Sequence, residues 1–376
     1  MMENIGLNSD IQAGGKVFHI QTQFMEPSEK IVSTIFEDGK VITRKSIAMK
    51  NSVPVPELKV AVSRLHRDMS EDIEMLFYIS DKVGTIRHAV SNNKLGLVFY
   101  KMNLYDEAIE EFQKALEINP EYVEVYKNLG CAYLRKNMLQ QAKAAFVAGI
   151  DKNENYADLH NNLGYTYFLL NNFSDAIKEI SGALDINPDY IDAQFYLSIV
   201  YLKSIVYDVQ QSSLPSKIER LNHSKELLDN IREKGANYKV EYIVSALSLM
   251  EENKYSEALN ALESAQSDHP PTVETDIEND FYLKFMFGGK GKEDRYINEY
   301  VEQLKQVINK APLYPDLHNN LGIAYLIQCR NMFLNALEEF RHALEINPNY
   351  KKAEKNLKLA ENDGKGFLIL LRAILK

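Results

Sequence analysis

Along most of the chain the apolar positions recur at helical intervals, and from residue 89 onward they also recur at a longer one. Leu95-Gly96, Leu129-Gly130 and Leu163-Gly164 stand 34 residues apart. Three positions after each glycine comes an aromatic residue (Phe99, Tyr133, Tyr167), nine further on a small one (Ala108, Ala142, Ala176), and four beyond that a bulky apolar one (Phe112, Phe146, Ile180). Leu95 and Phe99 keep one face of a first helix apolar, and Ala108, Phe112 and Ala115 do the same for a second. The stretch from Lys101 to Tyr105 is then the turn between them. Small residues at Gly96 and Ala108 let the two helices approach closely. Pro120 cannot continue a helix and opens the loop into the next pair. One such hairpin cannot bury its own apolar face, so stacked neighbours must supply the core.

The period defines seven units. Residues 89–122, 123–156 and 157–190 match it closely, although Gly149 and Glu154 replace the second alanine and the proline of the second unit. Residues 191–238 begin in phase at Leu197 and Tyr201, carry an insertion of about fourteen residues over 205–218, and resume at Ser224, Leu228 and Ile231. Residues 239–271 hold the register through Ala258, Leu262, Ala265 and Pro270, and 281–314 through Leu304, Val307 and Pro312. Residues 315–350 return to strong form with Leu321-Gly322, Tyr325, Ala336, Phe340, Ala343 and Pro348, plus two extra residues in the turn. Asp158–Gly164 and Asp316–Gly322 are identical. Residues 351–362 read as an added helix covering the last unit.

Residues 1–50 lack this period. Lys16–Thr22 and Ile31–Phe36 alternate apolar and polar, and Glu37-Asp38-Gly39-Lys40 is a turn signal before Val41-Ile42-Thr43. Three or more short antiparallel strands are expected. Leu58, Val62, Leu65, Met69, Ile73, Leu76 and Phe77 then mark a helix able to cover the apolar face of the sheet.

The order of Asn92 or Tyr126, Leu-Gly, aromatic, Ala, Phe, Ala and Pro resembles the tetratricopeptide-repeat (TPR) family. That resemblance implies a mainly α solenoid over 89–350, preceded by a small α+β module over 1–80 and followed by a covering helix and apolar tail over 351–376. Phe18–Gln23, the Gly39-Lys40 hairpin and Leu65–Met69 resemble a small uncharacterised β-rich module of bacterial proteins, which carries no established activity.

Composition narrows the function. A net charge of −10 with no Lys/Arg-rich run argues against a nucleic-acid binder. No signal-like start and no membrane-length apolar run are visible, and Cys131 and Cys329 are far apart, so a cytoplasmic location with reduced thiols is expected. The tail over 366–376 is apolar but too short to span a bilayer. It reads as packing on the solenoid or a neighbouring subunit, with a membrane-surface contact as the alternative.

No catalytic or metal constellation stands out, and no cofactor is expected. The eight histidines include no HExxH. His160 and His318 hold equivalent repeat positions and read as packing residues, while His19 on a strand and His66 on the helix could meet. Gly288–Lys292 lacks the spacing and the Ser/Thr of a phosphate loop and reads as a turn. Glu107, Glu110 and Glu111 read as a solvated helix face.

The function expected is binding of a partner protein's peptide or helix. In the TPR family the first helix of each hairpin lines a concave groove, which puts Lys94, Asn128, Asn162, Tyr196, Val244 and Asn320 there, with Arg135 and Tyr165 beside them. An asparagine amide can donate to and accept from an extended backbone. The family's carboxylate-gripping mode would require Asn93, Leu97, Asn128, Asp158 and Asn162 to act as Lys, Asn and Arg; only Asn128 fits. Two other readings compete: an N-terminal sensor or enzyme-accessory unit docked by the repeats, and a peripheral membrane assembly factor recruited by the tail.

Overall fold

The computed structural model describes residues 5–49, 53–210, 213–234, 238–267, 277–288, 294–310 and 315–361. The C-terminal tail over 366–376, the end of the glycine-rich turn and Pro270 and Pro312 lie outside the described residues. The chain divides into two compact units, one from residues 1–39, 44–86 and 276–376, the other from 40–43 and 87–275.

The first unit opens with four strands, β1 (Gly6–Ala13), β2 (Lys16–Met25), β3 (Lys30–Glu37) and β4 (Lys40–Ala48), arranged in sequence order in one sheet. β1 pairs antiparallel with β2, and β2 with β3. Asp38 and Gly39 both take positive φ, which turns the chain between β3 and β4 in two residues. Alternation along β2 buries Phe18, Ile20 and Thr22 and leaves His19 on the opposite face. The buried face is covered by α1 (Val55–Gly84), which contributes Leu58, Val62, Leu65, Met69 and Ile73. Phe77 of this helix packs on Phe18 at 5.6 Å between ring centres. Its ring also fills the space above Gly14, where a Cβ atom would lie 2.2 Å away.

Among the described residues four more helices belong to this unit: α12 (Ile277–Phe287), α13 (Asp294–Lys310), α14 (Pro315–Ile346) and α15 over residues 351–361. Phe281 of α12 stacks on Tyr300 of α13 at 3.9 Å. Lys284 bridges Asp72 of α1 at 3.0 Å and Asp280 at 3.1 Å. Burial opposes its charge, yet the two carboxylates outweigh that effect and raise its pKa. Arg295 pairs with Asp68 of α1 at 3.0 Å.

Among the described residues of the second unit ten helices form five hairpins: α2 (Ala89–Lys101) with α3 (Tyr105–Ile118), α4 (Val123–Arg135) with α5 (Leu139–Lys152), α6 (Ala157–Leu169) with α7 (Phe173–Ile186), α8 (Ile191–Val206) with α9 (Lys217–Lys234), and α10 (Val240–Glu251) with α11 (Tyr255–Ser267). The second helix of each of the first three hairpins packs on the next first helix, as a solenoid requires. Asn103, Asn137, Asn171 and Asn253 hold the left-handed turn position between the two helices of their hairpins. The Leu-Gly pair makes a notch for the bulky residue of the second helix. A Cβ at Gly96, Gly130 or Gly164 would fall 2.6, 2.3 or 2.4 Å from Phe112, Phe146 or Ile180.

Two features depart from the sequence reading. The last unit is not a helix-turn-helix, because α14 runs unbroken through residues 329–332, where a turn was expected. Cys329 stands eight residues after Leu321, where the earlier hairpins place the left-handed asparagine, and no residue of α14 has positive φ. Glu111 is not solvated: it is 2 % exposed and accepts a hydrogen bond from Asn92 Nδ2 at 2.7 Å and the ammonium of Lys114 at 2.8 Å. Two donors replace the water that a lone carboxylate would need.

Candidate interaction surface

The first helices of the second unit repeat one arrangement. Each of the first four hairpins is followed by a tyrosine that reaches back to the first helix of its own repeat. Asn93 Nδ2 donates to Tyr122 Oη at 3.4 Å. The ammonium of Lys127 stands 5.8 Å above the Tyr156 ring. Asp158 and Asn161 stand beside Tyr190, and Tyr238 donates to Asp192. All four tyrosines are half-buried. Burial is the main reason the pKa of each is raised, so each keeps its proton at neutral pH.

Charge is interleaved with these rings. Lys127 pairs with Asp158 on the following first helix at 3.5 Å. Burial opposes the Lys127 charge, but Tyr156 and Asp158 raise its pKa above the ordinary lysine value. Tyr165 lies 4.9 Å from Tyr196, and Lys203 covers Phe168 at 4.7 Å while pairing with Glu263 at 2.8 Å. Arg135 is exposed, donates to Tyr105 Oη at 3.0 Å and stacks above that ring.

The asparagines expected in the groove are packed between repeats. Asn128 is fully buried and donates to Asn93 Oδ1 at 3.0 Å, while its own Oδ1 has no partner. Asn162 is 6 % exposed with its amide 3.6 Å from Cys131 Sγ. The cause is spacing: each sits one residue before the Leu-Gly notch, on the seam between first helices, whereas the residue before it (Lys127, Asn161) is the one that meets the tyrosine row. Lys94 of α2 and Asn320 of α14 are half-buried. The tyrosine row was missed, although Tyr122, Tyr156 and Tyr190 recur every 34 residues in the sequence.

This surface offers phenols, ammonium groups and carboxylates in hydrogen-bonding order, but no paired acid and base around a nucleophile. Cys131 is fully buried, and that burial pushes its thiol up to about 12, leaving it unreactive at neutral pH. His160 bridges Glu179 at 2.8 Å and the Glu154 carbonyl at 2.9 Å, tying α6 to α7. His66 binds Ser9 Oγ at 2.8 Å and Thr22 Oγ1 at 2.9 Å beneath the sheet, while His19 binds Asp10 on the other face, so the two form no common site. Among the described residues no group of three or more His, Cys, Asp or Glu side chains is placed to hold a metal ion, and no helix is long and apolar enough to cross a membrane.

Stacked hairpins with a Leu-Gly notch and a left-handed asparagine turn define a helical-repeat protein. Two family descriptions match the sequence: TPR repeat over residues 96–137 and Tetratricopeptide repeat over 127–191. Over this stretch the chain belongs to the tetratricopeptide-repeat family, whose general role is protein interaction. Similar solved structures include a tetratricopeptide repeat protein from Parabacteroides merdae (16 % identity, 73 % of this chain and 98 % of that one, TM-score 0.37). Others are MamA (21 %, 49 % and 98 %, 0.39) and YrrB, described as a TPR protein with an unusual peptide-binding site (17 %, 55 % and 98 %, 0.36). No curated protein matches the chain.

Proposed function

We propose that the chain is a non-catalytic scaffold that holds an extended peptide of a partner protein along the tyrosine row of its first three repeats. The observation that supports this reading is the recurrence of Tyr122, Tyr156 and Tyr190 at one place in each repeat, with Asn93 bonded to the first and Lys127 over the ring of the second. Anchored phenols lose little side-chain freedom on binding and present both an apolar ring and a hydroxyl. The mixed charges of Lys127, Asp158 and Arg135 suit a peptide carrying both signs rather than a polyanion.

Selection from a library of random displayed peptides against the full chain, followed by fluorescence anisotropy on the winners, tests this. Tyr156→Ala with Tyr190→Ala is expected to weaken binding by roughly tenfold or more at unchanged helicity, since buried aromatic anchors dominate interfaces. Unchanged affinity in that variant, or a library yielding no binder, would sink the groove reading.

A further inference from the structure

The Leu-Gly notch of α14 is empty. Among the described residues a Cβ built on Gly322 meets no atom within 4 Å, and the residue is exposed, whereas the equivalent Gly96, Gly130 and Gly164 are buried against a bulky side chain. The residue that should fill the notch is present in the sequence. Phe112, Phe146 and Ile180 follow their glycines by sixteen positions, and with the two extra turn residues the counterpart of Gly322 is Phe340. Phe340 is half-exposed, while Phe112, Phe146 and Ile180 are fully buried. A second pair follows the same numbering. His318 and Glu339 occupy the positions of His160 and Glu179, which meet at 2.8 Å across the α6–α7 hairpin.

In a straight α-helix Gly322 and Phe340 lie about 27 Å apart along the axis, so they cannot meet within one chain while α14 stays unbroken. α14 is continuous through residues 329–332, and there Asn331 Nδ2 donates to Asp294 Oδ1 at 2.9 Å. The two sites are symmetric about Asn331, midway between them. A second α14 crossing antiparallel at Asn331 would bring Phe340 of each copy to Gly322 of the other. That arrangement is a closed twofold with two identical, reciprocal contacts.

We infer that this chain dimerises by exchanging the C-terminal half of α14, with Phe340 of one copy filling the Gly322 notch of the other. The first half of α14 already has its inner face on α13, through Ala324 against Tyr300 and Leu304. The notch face is therefore the one the second copy occupies, and each crossing rebuilds one repeat hairpin from two chains.

Sedimentation velocity on the full chain from about 1 to 100 µM, a range spanning ordinary dimer affinities, tests it. The wild type is expected at twice the chain mass at the upper end. Phe340→Ala and Gly322→Leu should each weaken dimerisation at least tenfold while keeping wild-type helicity. Gly322→Leu guards against misfolding of the first variant, because the notch is open in the single chain. A wild type that stays monomeric throughout overturns the inference, and so does a dimer that persists in either variant with native helicity.

Discussion

Buried polar side chains in this protein act between helices, and their local sequence gives little sign of it. Glu111 belongs to a run of acids on α3 that reads as solvated, yet its carboxylate is the acceptor for Asn92 nineteen residues earlier. Replacing Glu111 by Ala strands that amide, so urea denaturation should show a loss of about 1–3 kcal/mol. Glu110→Ala next to it, 66 % exposed at the side chain, should stay within about 0.5 kcal/mol of wild type. Asn128 is parallel: its position in the motif was legible, but only the packing of α2 against α4 shows that Asn93 receives its amide. Cys131 gives a chemical check on the same seam. In a Cys329→Ser variant the remaining thiol should resist alkylation at pH 8 until the chain is unfolded, and rapid labelling of the folded protein would contradict its burial.

The hairpins were legible because close helix contact needs glycine at one place and a bulky residue at another, and both recur at a fixed spacing. Gly130→Ala should therefore destabilise by about 1–3 kcal/mol through overpacking against Phe146, although alanine is the better helix former; thermal melts decide the sign. The straightening of α14 was not legible. The repeat register fixes which residues face inward, whereas a turn depends on a residue that tolerates positive φ, and the position eight after Leu321 carries cysteine instead of asparagine. The sheet follows its alternation and its Asp38-Gly39 turn, but the polar network beneath it joins residues from three strands and a helix. His66 there binds Ser9 and Thr22, and Thr22 meets Ser33 at 2.7 Å. Burial first, and His19 second, lower the His66 pKa below 6.5. The unfolded chain then takes up the proton before the folded one does. The contribution to stability is full above about pH 6.5 and is lost as pH falls toward the folded value. The urea midpoint should drop between pH 7.5 and 5.5 in the wild type and drop less in His66→Gln; equal drops would clear His66 of the effect.

At the scale of the whole molecule, the repeat period runs across a structural division that it does not reveal. The last described helices group with the sheet and α1, tied by Lys284–Asp72 and Arg295–Asp68, because those charges and the contact of Met75 with the end of α12 come from residues outside the repeat pattern. A chain ending at residue 275 should keep the helicity of α2–α11 while α1 loses amide-exchange protection, as hydrogen exchange with mass spectrometry would show. Protection of α1 equal to that in the full chain would mean that the sheet alone suffices.

Because the first unit is assembled from segments separated by about 190 residues, its parts do not leave the ribosome together. At translation rates of about 5–20 residues per second, α1 waits on the order of 10–40 s for α12 and α13, while the five hairpins between them can fold as they emerge. The newborn sheet therefore spends that interval with one side of its helix uncovered. Completion of the first unit therefore follows synthesis of the hairpins encoded between its segments.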